Sequence, residues 1–262
     1  MTIAIQVQTC TAGEILPLLP AQIKETYGFA AHTATYRCPP PIAVGSTLCT
    51  ETGDVLFTVV GHLFLPTGLP HASLCPLLKA QSTMKSEEMF DLQLIKKGVS
   101  LAWITLSDKG AQGLREDTAG PLIAETLGTA LDIGYSQGFL LPDEPDLLRA
   151  LLTSLALVDR YDIICTSGGT GLTTRDRTTE TTERLLDRKL PGFAQAMMAK
   201  SLEKTPKAIL SRACAGIIGE SLVLNLPGSA KAVRENLEAV LPALDHTIQK
   251  LHNDPSDCGA NA

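Results

Sequence analysis

The most constraining feature of this chain is a short strand-like run, residues 161–166 (YDIICT), that empties directly into Ser167-Gly168-Gly169-Thr170-Gly171. Without Cβ atoms the glycines let the chain bend through positive φ and bring successive N–H groups close to an anion. The pattern is neither the dinucleotide fingerprint nor a Walker loop, because the lysine and the spacing of those motifs are absent. Taken alone, it is equally a tight strand-to-helix turn.

The run sits within an alternation of strand and helix signals. Residues 99–106 (VSLAWITL) and 133–141 read as strands, and 119–131 and 144–158 as helices. A helical stretch over 178–189 is broken by Pro191-Gly192, and a further helix runs to Glu203. Two short strands, 208–213 and 221–226, precede a terminal helix over 230–251. This order predicts an α/β fold, a mostly parallel sheet flanked by helices, with the strands' carboxyl ends as the default ligand site.

Upstream, residues 83–97 (TMKSEEMFDLQLIKK) are polar and charged, and the next segment is abruptly apolar. That change places a boundary at Lys97, between a small β-rich domain over 1–97 and an α/β domain over 98–255. Two domains suit a chain of 262 residues that is 44% hydrophobic. Within the first, β-type runs at 3–8 and 55–60 are separated by Pro39, Pro40, Pro41, Pro66 and Pro70. Glu51-Thr52-Gly53-Asp54, between 47–49 and 55–57, has the composition of a hairpin loop. His32, His62 and His71 are scattered and receive no role. The seven cysteines lack zinc-knuckle or redox spacing, so reduced thiols are expected. Cys10, Cys38, Cys49 and Cys75 leave a metal site in the first part open.

The formal net charge of −6 provides no global positive field for nucleic acid or an acidic membrane. Anionic ligands must therefore be held locally. The first nine residues lack the pattern of a secretory signal, and no run approaches the roughly 20 apolar residues of a membrane span. A cytoplasmic protein is expected, with neither nucleic acid nor membrane as partner.

Other loops add polar chemistry. Asp176, between Arg175 and Arg177, either holds Mg²⁺ on a nucleotide while the arginines offset phosphate charge, or caps a helix. Asp143 stands in the same kind of place, after the strand at 133–141 and before the next helix. Two aspartates at the carboxyl ends of two strands can meet across one crevice, where paired oxygen ligands suit Mg²⁺ bound to ATP. Ser107 and Asp108, in the Thr105-to-Gly110 loop, either line a nucleotide pocket or form ordinary turn chemistry. Asn225-Leu226-Pro227-Gly228-Ser229 ends the last strand at a helix amino terminus, which attracts phosphate.

In this order the loops resemble the molybdopterin adenylyltransferase family (MogA/MoaB type) of molybdenum cofactor biosynthesis. The resemblance covers roughly residues 99–251. It rests on Ser107-Asp108, Asp117 with Gly120-Pro121, Pro142-Asp143-Glu144, the Ser167-to-Gly171 loop with Arg175-Asp176, Pro191-Gly192-Phe193, Ser211-Arg212 and Asn225-to-Ser229. It implies a homotrimer that transfers AMP from Mg-ATP to the terminal phosphate of molybdopterin and releases pyrophosphate. A molybdenum-inserting enzyme is implied as a further partner. Asp143 and Asp176 are similar to the family's catalytic and Mg²⁺-binding acidic pair, and Ser167, Gly168, Gly169, Thr170 and Gly171 to its phosphate cradle. Asp108, Asp117, Asn225, Pro227, Gly228 and Ser229 resemble its pocket-lining segments, and Ser221 is placed toward the pterin.

The sequence departs from the family at Leu172, where a proline is common, and at Thr178-Thr179-Glu180-Thr181, where Thr-Pro-Glu-Ala is usual. The 1–97 segment has no counterpart in the minimal family member. The alternatives to an adenylyltransferase are a non-catalytic molybdopterin-binding or carrier protein and the molybdenum-inserting enzyme that shares this fold. Cys165 and Cys214 are read as buried strand residues, since phosphoryl transfer of this kind needs no side-chain nucleophile.

Overall fold

A computed structural model describes residues 2–7, 9–20, 34–36, 42–64, 74–85 and 88–252. His32, His71 and Cys38 lie outside these residues. The chain divides into two compact units, Met1–Lys97 and Gly98–Ala262.

In the first unit, β1 (Thr2–Val7), β2 (Ile15–Pro20), β3 (Ala34–Tyr36), β4 (Thr47–Cys49), β5 (Val55–Phe64), β6 (Leu74–Ala80) and β7 (Glu88–Ile95) close a barrel in the order β1-β3-β2-β6-β5-β4-β7. Strand β1 alternates strictly between exposed and buried residues, as a strand with one face on a core must. Ile3, Ile5, Leu16, Leu18, Leu48, Phe57, Leu78 and Leu92 fill the interior. The hairpin read from Gly53 is present: β4 and β5 pair antiparallel, and Gly53 takes φ 91° in the turn. Among the described residues no group of three His, Cys, Asp or Glu side chains is arranged to hold a metal ion.

The second unit contains one six-stranded sheet. Its strands are β8 (Val99–Leu106), β9 (Ile133–Leu141), β10 (Ile163–Ser167), β11 (Arg188–Lys189), β12 (Ala215–Ile218) and β13 (Ser221–Leu226), in the order β11-β12-β13-β10-β8-β9. The sheet is mixed: the parallel expectation describes four of its six strands and not the other two. Strands β9, β8, β10 and β13 form a parallel block, while β12 pairs antiparallel with β13 and β11 antiparallel with β12. The cause is local. Only Gly219 and Glu220 separate β12 from β13, and so short a connection joins antiparallel neighbours alone. Gly219, at φ 59°, makes the turn.

The helices are α1 (Asp108–Ala111), α2 (Ala119–Leu127), α3 (Pro145–Thr153), α4 (Thr178–Glu183), α5 (Pro191–Leu202) and α6 (Ala230–Leu251). Three expected elements change. The strand read at 208–213 is a 3₁₀ turn, Pro206–Leu210, opened by the Thr205 hydroxyl accepting from the Lys207 N–H, with Ile209 and Leu210 exposed. The helix read to Lys189 ends at Glu183, and Arg188 and Lys189 pair instead as strand β11 with β12. The helix read over 144–158 gives way to a single π turn, Ser154–Val158, followed by Arg160 at φ 58°.

One face of the sheet, through Leu101, Ile163, Cys165, Leu222 and Leu224, packs on Ile123 and Leu127 of α2, Met197 of α5 and Val233, Leu237, Val240 and Leu244 of α6. The alternate residues Ala102, Ile104, Ile164 and Val223 are fully buried too, so the central strands are covered on both sides. No helix among the described residues is long and apolar enough to cross a membrane.

Burial pushes the Cys165 thiol up to about 12 and the Cys214 thiol likewise. Both groups stay neutral at pH 8, where the reactive thiolate would be needed. Native protein treated with iodoacetamide at pH 8 therefore leaves Cys165 unmodified by mass spectrometry, and denatured protein labels it; rapid labelling of the native state would contradict this burial.

Candidate active site

Because β9, β8, β10 and β13 run parallel, their carboxyl ends share one edge, and the loops that leave them share one crevice. At the end of β10, Gly168 and Gly169 adopt φ 102° and 62°. A Cβ at Gly168 would lie 2.5 Å from the Leu106 carbonyl, and one at Gly169 would collide with the Thr178 hydroxyl. Only glycine fits either position. Gly228, beyond β13, packs on Gly168, and the Ser167 hydroxyl donates to the Pro227 carbonyl (3.0 Å), so the two loops are tied together.

The acidic groups form a second layer. Asp108 and Asp143 cap each other: the Asp108 N–H donates to Asp143 Oδ2 (3.1 Å) and the Asp143 N–H to Asp108 Oδ1 (3.0 Å). Arg175 reaches across with Nη2 to both Asp108 oxygens (2.8 and 2.9 Å) and Nη1 to Glu144 Oε1 (2.9 Å). The Asp143 N–H and then Arg175 hold the Asp108 carboxyl below its ordinary range. Burial pushes Asp143 the other way, with the charges of Asp108 and Asp176 adding to the rise. Asp176 accepts from the Thr173 N–H (2.8 Å) and hydroxyl (2.7 Å), which fixes its carboxylate within its own turn.

Asp117 anchors the opposite wall. Its Oδ1 accepts from the N–H groups of Ala119 (3.1 Å) and Gly120 (2.9 Å), and its Oδ2 from the Thr105 hydroxyl (2.7 Å). Behind the glycine turn, Arg212 donates from its backbone N–H to the Thr170 carbonyl (3.1 Å), from Nε to the Gly171 carbonyl (2.8 Å) and from Nη2 to the Asp176 carbonyl, and pairs with Glu180. The segment from the glycines to Asp176 is thus pinned by Arg212 on one side and by Arg175 on the other.

Between these walls lies a cavity of about 250 Å³. Of the residues singled out in the sequence, Ser107, Asp117, Asp143, Ser167, Gly168, Gly169, Asp176 and Gly228 line it. Asp108 stands beside it, bonded to Asp143. Thr170, Gly171 and Pro227 contribute carbonyls to the supporting frame, and the Ser229 hydroxyl caps α6 by accepting from the Ala232 N–H. Asn225 is fully buried and accepts from the Thr166 hydroxyl (2.9 Å). Ser221 is not part of this edge. It begins β13 at the amino end of the parallel block, is buried, and donates to the Tyr161 carbonyl, so it is not brought to the cavity with the others.

Sequence reasoning passes over Arg115, Glu116, Thr118 and Leu140, which also line the cavity, and gives Arg212 no role. Arg115 and Glu116 have one visible signal, their place directly before Asp117. Arg212 is marked only by the Ser211-Arg212 match to the family, and its contacts depend on tertiary structure.

Asp143 and Asp176 fit a magnesium nucleotide better than a protein-only metal centre. No three potential ligand side chains converge among the described residues, whereas Mg²⁺ held by one or two carboxylates takes its remaining oxygens from phosphate and water. The glycine turn beside them leaves the space that a phosphate needs.

A family model described as "Probable molybdopterin binding domain" matches residues 102–246. A molybdopterin adenylyltransferase of Helicobacter pylori (strain ATCC 700392 / 26695) is 39% identical over 161 residues, covering 60% of this chain and 88% of that protein. The molybdopterin adenylyltransferase of Escherichia coli (strain K12) is 36% identical over 146 residues, covering 55% and 75%. The crystal structure of the molybdopterin biosynthesis enzyme MoaB from Thermus thermophilus superposes with a TM-score of 0.55 at 45% identity, over 59% of this chain and 97% of that one. The α/β unit has the MoaB/MogA-like fold. Since the matched segment spans more than half of the 262 residues and carries the whole cleft, the chain belongs to the probable molybdopterin binding domain family.

Proposed function

We propose that this chain adenylylates molybdopterin in molybdenum cofactor biosynthesis, with Mg-ATP as co-substrate, and does so as a cytoplasmic homotrimer. The observation that carries the reading is the meeting of Asp143 and Asp176 with the Gly168-Gly169 turn around one cavity. Relatives named molybdopterin adenylyltransferase support the reaction type.

In the reaction an oxygen of the pterin's terminal phosphate attacks the α-phosphorus of ATP, the bond to the β-phosphate oxygen breaks, and pyrophosphate leaves. Both reactants are anions, so the protein's task is to position them and offset charge. The backbone around Gly168 and Gly169 receives a phosphate where no Cβ intrudes. Asp143 and Asp176 would hold Mg²⁺, which supplies the main offset of phosphate charge when bound. Arg175 and Arg212 keep the Asp176 turn in place. Asp117 braces the wall opposite through Thr105 and the first N–H groups of α2. A molybdenum-inserting enzyme is the natural recipient of the adenylylated pterin.

Three outcomes test this. Purified protein with molybdopterin, ATP and Mg²⁺ releases pyrophosphate, and Asp176→Asn lowers kcat by roughly a hundredfold or more while the thermal melt stays near wild type, because the amide keeps shape but not charge. Pterin bound without turnover by the wild type would instead indicate a carrier.

Gly168→Ala places a methyl group against the Leu106 carbonyl at φ 102°, and costs about 1–3 kcal/mol of stability in urea titration. ATP affinity measured by calorimetry falls with it. A variant as stable as wild type would show that the turn tolerates a side chain.

We also infer that catalysis resides in the second unit. A chain cut to residues 98–252 keeps adenylylation and elutes as a trimer in size-exclusion chromatography with light scattering. A folded trimer without product would assign the first unit a catalytic part.

A further inference from the structure

The charged side chains that line the cavity are Glu116, Asp117, Asp143, Asp176 and Arg115. Four are carboxylates, and the site must admit substrates that are themselves anions. The two arginines that brace the Asp176 turn are already committed: Arg175 to Asp108 and Glu144, and Arg212 to Glu180 and to the carbonyls of Gly171 and Asp176. Using either for substrate means breaking pairs that hold the Asp176 turn.

Arg115 differs. Among the described residues it has no ion pair and no hydrogen-bond partner for its guanidinium, although carboxylates stand in the same wall. Its backbone is nevertheless held on both sides. The N–H groups of Gly113 and Leu114 donate to the carbonyls of Gly110 and Lys109 (2.8 Å each), and Asp117 is fixed by three hydrogen bonds. The backbone on either side is fixed, and the exposed guanidinium is unengaged. A guanidinium is always charged and presents a planar fork of N–H donors that matches two oxygens of one phosphate.

We propose that Arg115 grips a phosphate group of a substrate in this cavity and thereby sets the affinity for that substrate. This rests on the adenylyl-transfer reading for the identity of the phosphate, which belongs either to the polyphosphate of the nucleotide or to the terminal phosphate of the pterin. Arg115 is a binding residue, distinct from Asp143 and Asp176 in carrying no metal.

Steady-state kinetics of Arg115→Ala and Arg115→Lys, with each substrate varied at saturation of the other, separates the two sources. For Arg115→Ala the KM of one substrate rises roughly tenfold or more, as expected for losing a charge-assisted hydrogen-bond pair, while kcat and the other KM stay within about twofold. Lysine restores part of the loss, since it keeps the charge but not the fork. The substrate whose KM moves owns the phosphate. Both KM values unchanged, or kcat lowered at unchanged KM, overturns the proposal.

Calorimetric titration of the full chain with ATP, inorganic pyrophosphate and molybdopterin, each alone, keeps this test independent of turnover. A wild type that binds these probes yet makes no adenylylated pterin defeats the adenylyl-transfer reading only. In that case, weaker binding of a probe by Arg115→Ala upholds the role of Arg115, and binding of all three equal to wild type removes it.

Discussion

The architecture of the site depends on one steric constraint, the passage of the chain after β10 between the Leu106 carbonyl and the Thr178 side chain. Any Cβ at Gly168 or Gly169 would meet one of them. Because the passage is so narrow, the end of β8, the start of α4 and the loop after β13 are all brought against the same short segment. The parallel pairing of β8, β10 and β13 sets these chain ends level, and the glycines let them close up. A cavity that opens at this place is bounded by backbone on one side and by whatever side chains the neighbouring loops carry on the other.

Those loops carry acids, and the arrangement keeps like charges together without dispersing them. Asp108 and Asp143 repel, yet each accepts the other's backbone N–H, so separating them would cost two hydrogen bonds. Arg175 then takes up the charge of Asp108 and leaves Asp143 as the member of the pair that faces the cavity. The result is a division of labour by environment. Asp108 is held ionised by its partners, whereas burial lifts Asp143. A carboxylate of the second kind gains most from a cation delivered with the substrate, because the guanidinium that reaches it, Arg175, is already bonded to Asp108 and Glu144.

Much of this is legible in the sequence because it is local. YDIICT followed by glycines reads as a buried strand and a turn, and the polar-to-apolar change at Lys97 coincides with the division between the two compact units. Asp143 and Asp176 each stand between a strand and a helix, where composition alone marks them, and Asp117 enters only through the family resemblance. What escapes is set by tertiary pairing. The direction of β12 follows from the two-residue turn at Gly219, and the sequence reading places the strand earlier, in a segment that Pro206 turns into a 3₁₀ helix. Ser221 is drawn in by its nearness in sequence to Asn225. A strand of six residues separates its two ends by roughly 17–20 Å, so one end of β13 is at the cleft and the other is not.

The departures from the family pattern bear on the scaffold rather than on the acids. Leu172 is 66% exposed, so the proline it stands in for would have stiffened the loop through its own ring, not through a packed contact. Here stiffness has other sources: Arg212 holds the carbonyls of Thr170, Gly171 and Asp176 in succession. Thr179 occupies the second position of the Thr-Pro-Glu-Ala pattern, and its hydroxyl donates to the Arg212 carbonyl (2.8 Å). A proline ring there pre-sets the first turn of a helix by fixing φ. Threonine instead ties that turn to the very residue that grips the loop. The two substitutions thus act on one unit, which Arg212 holds by hydrogen bonds to the loop and to Thr179.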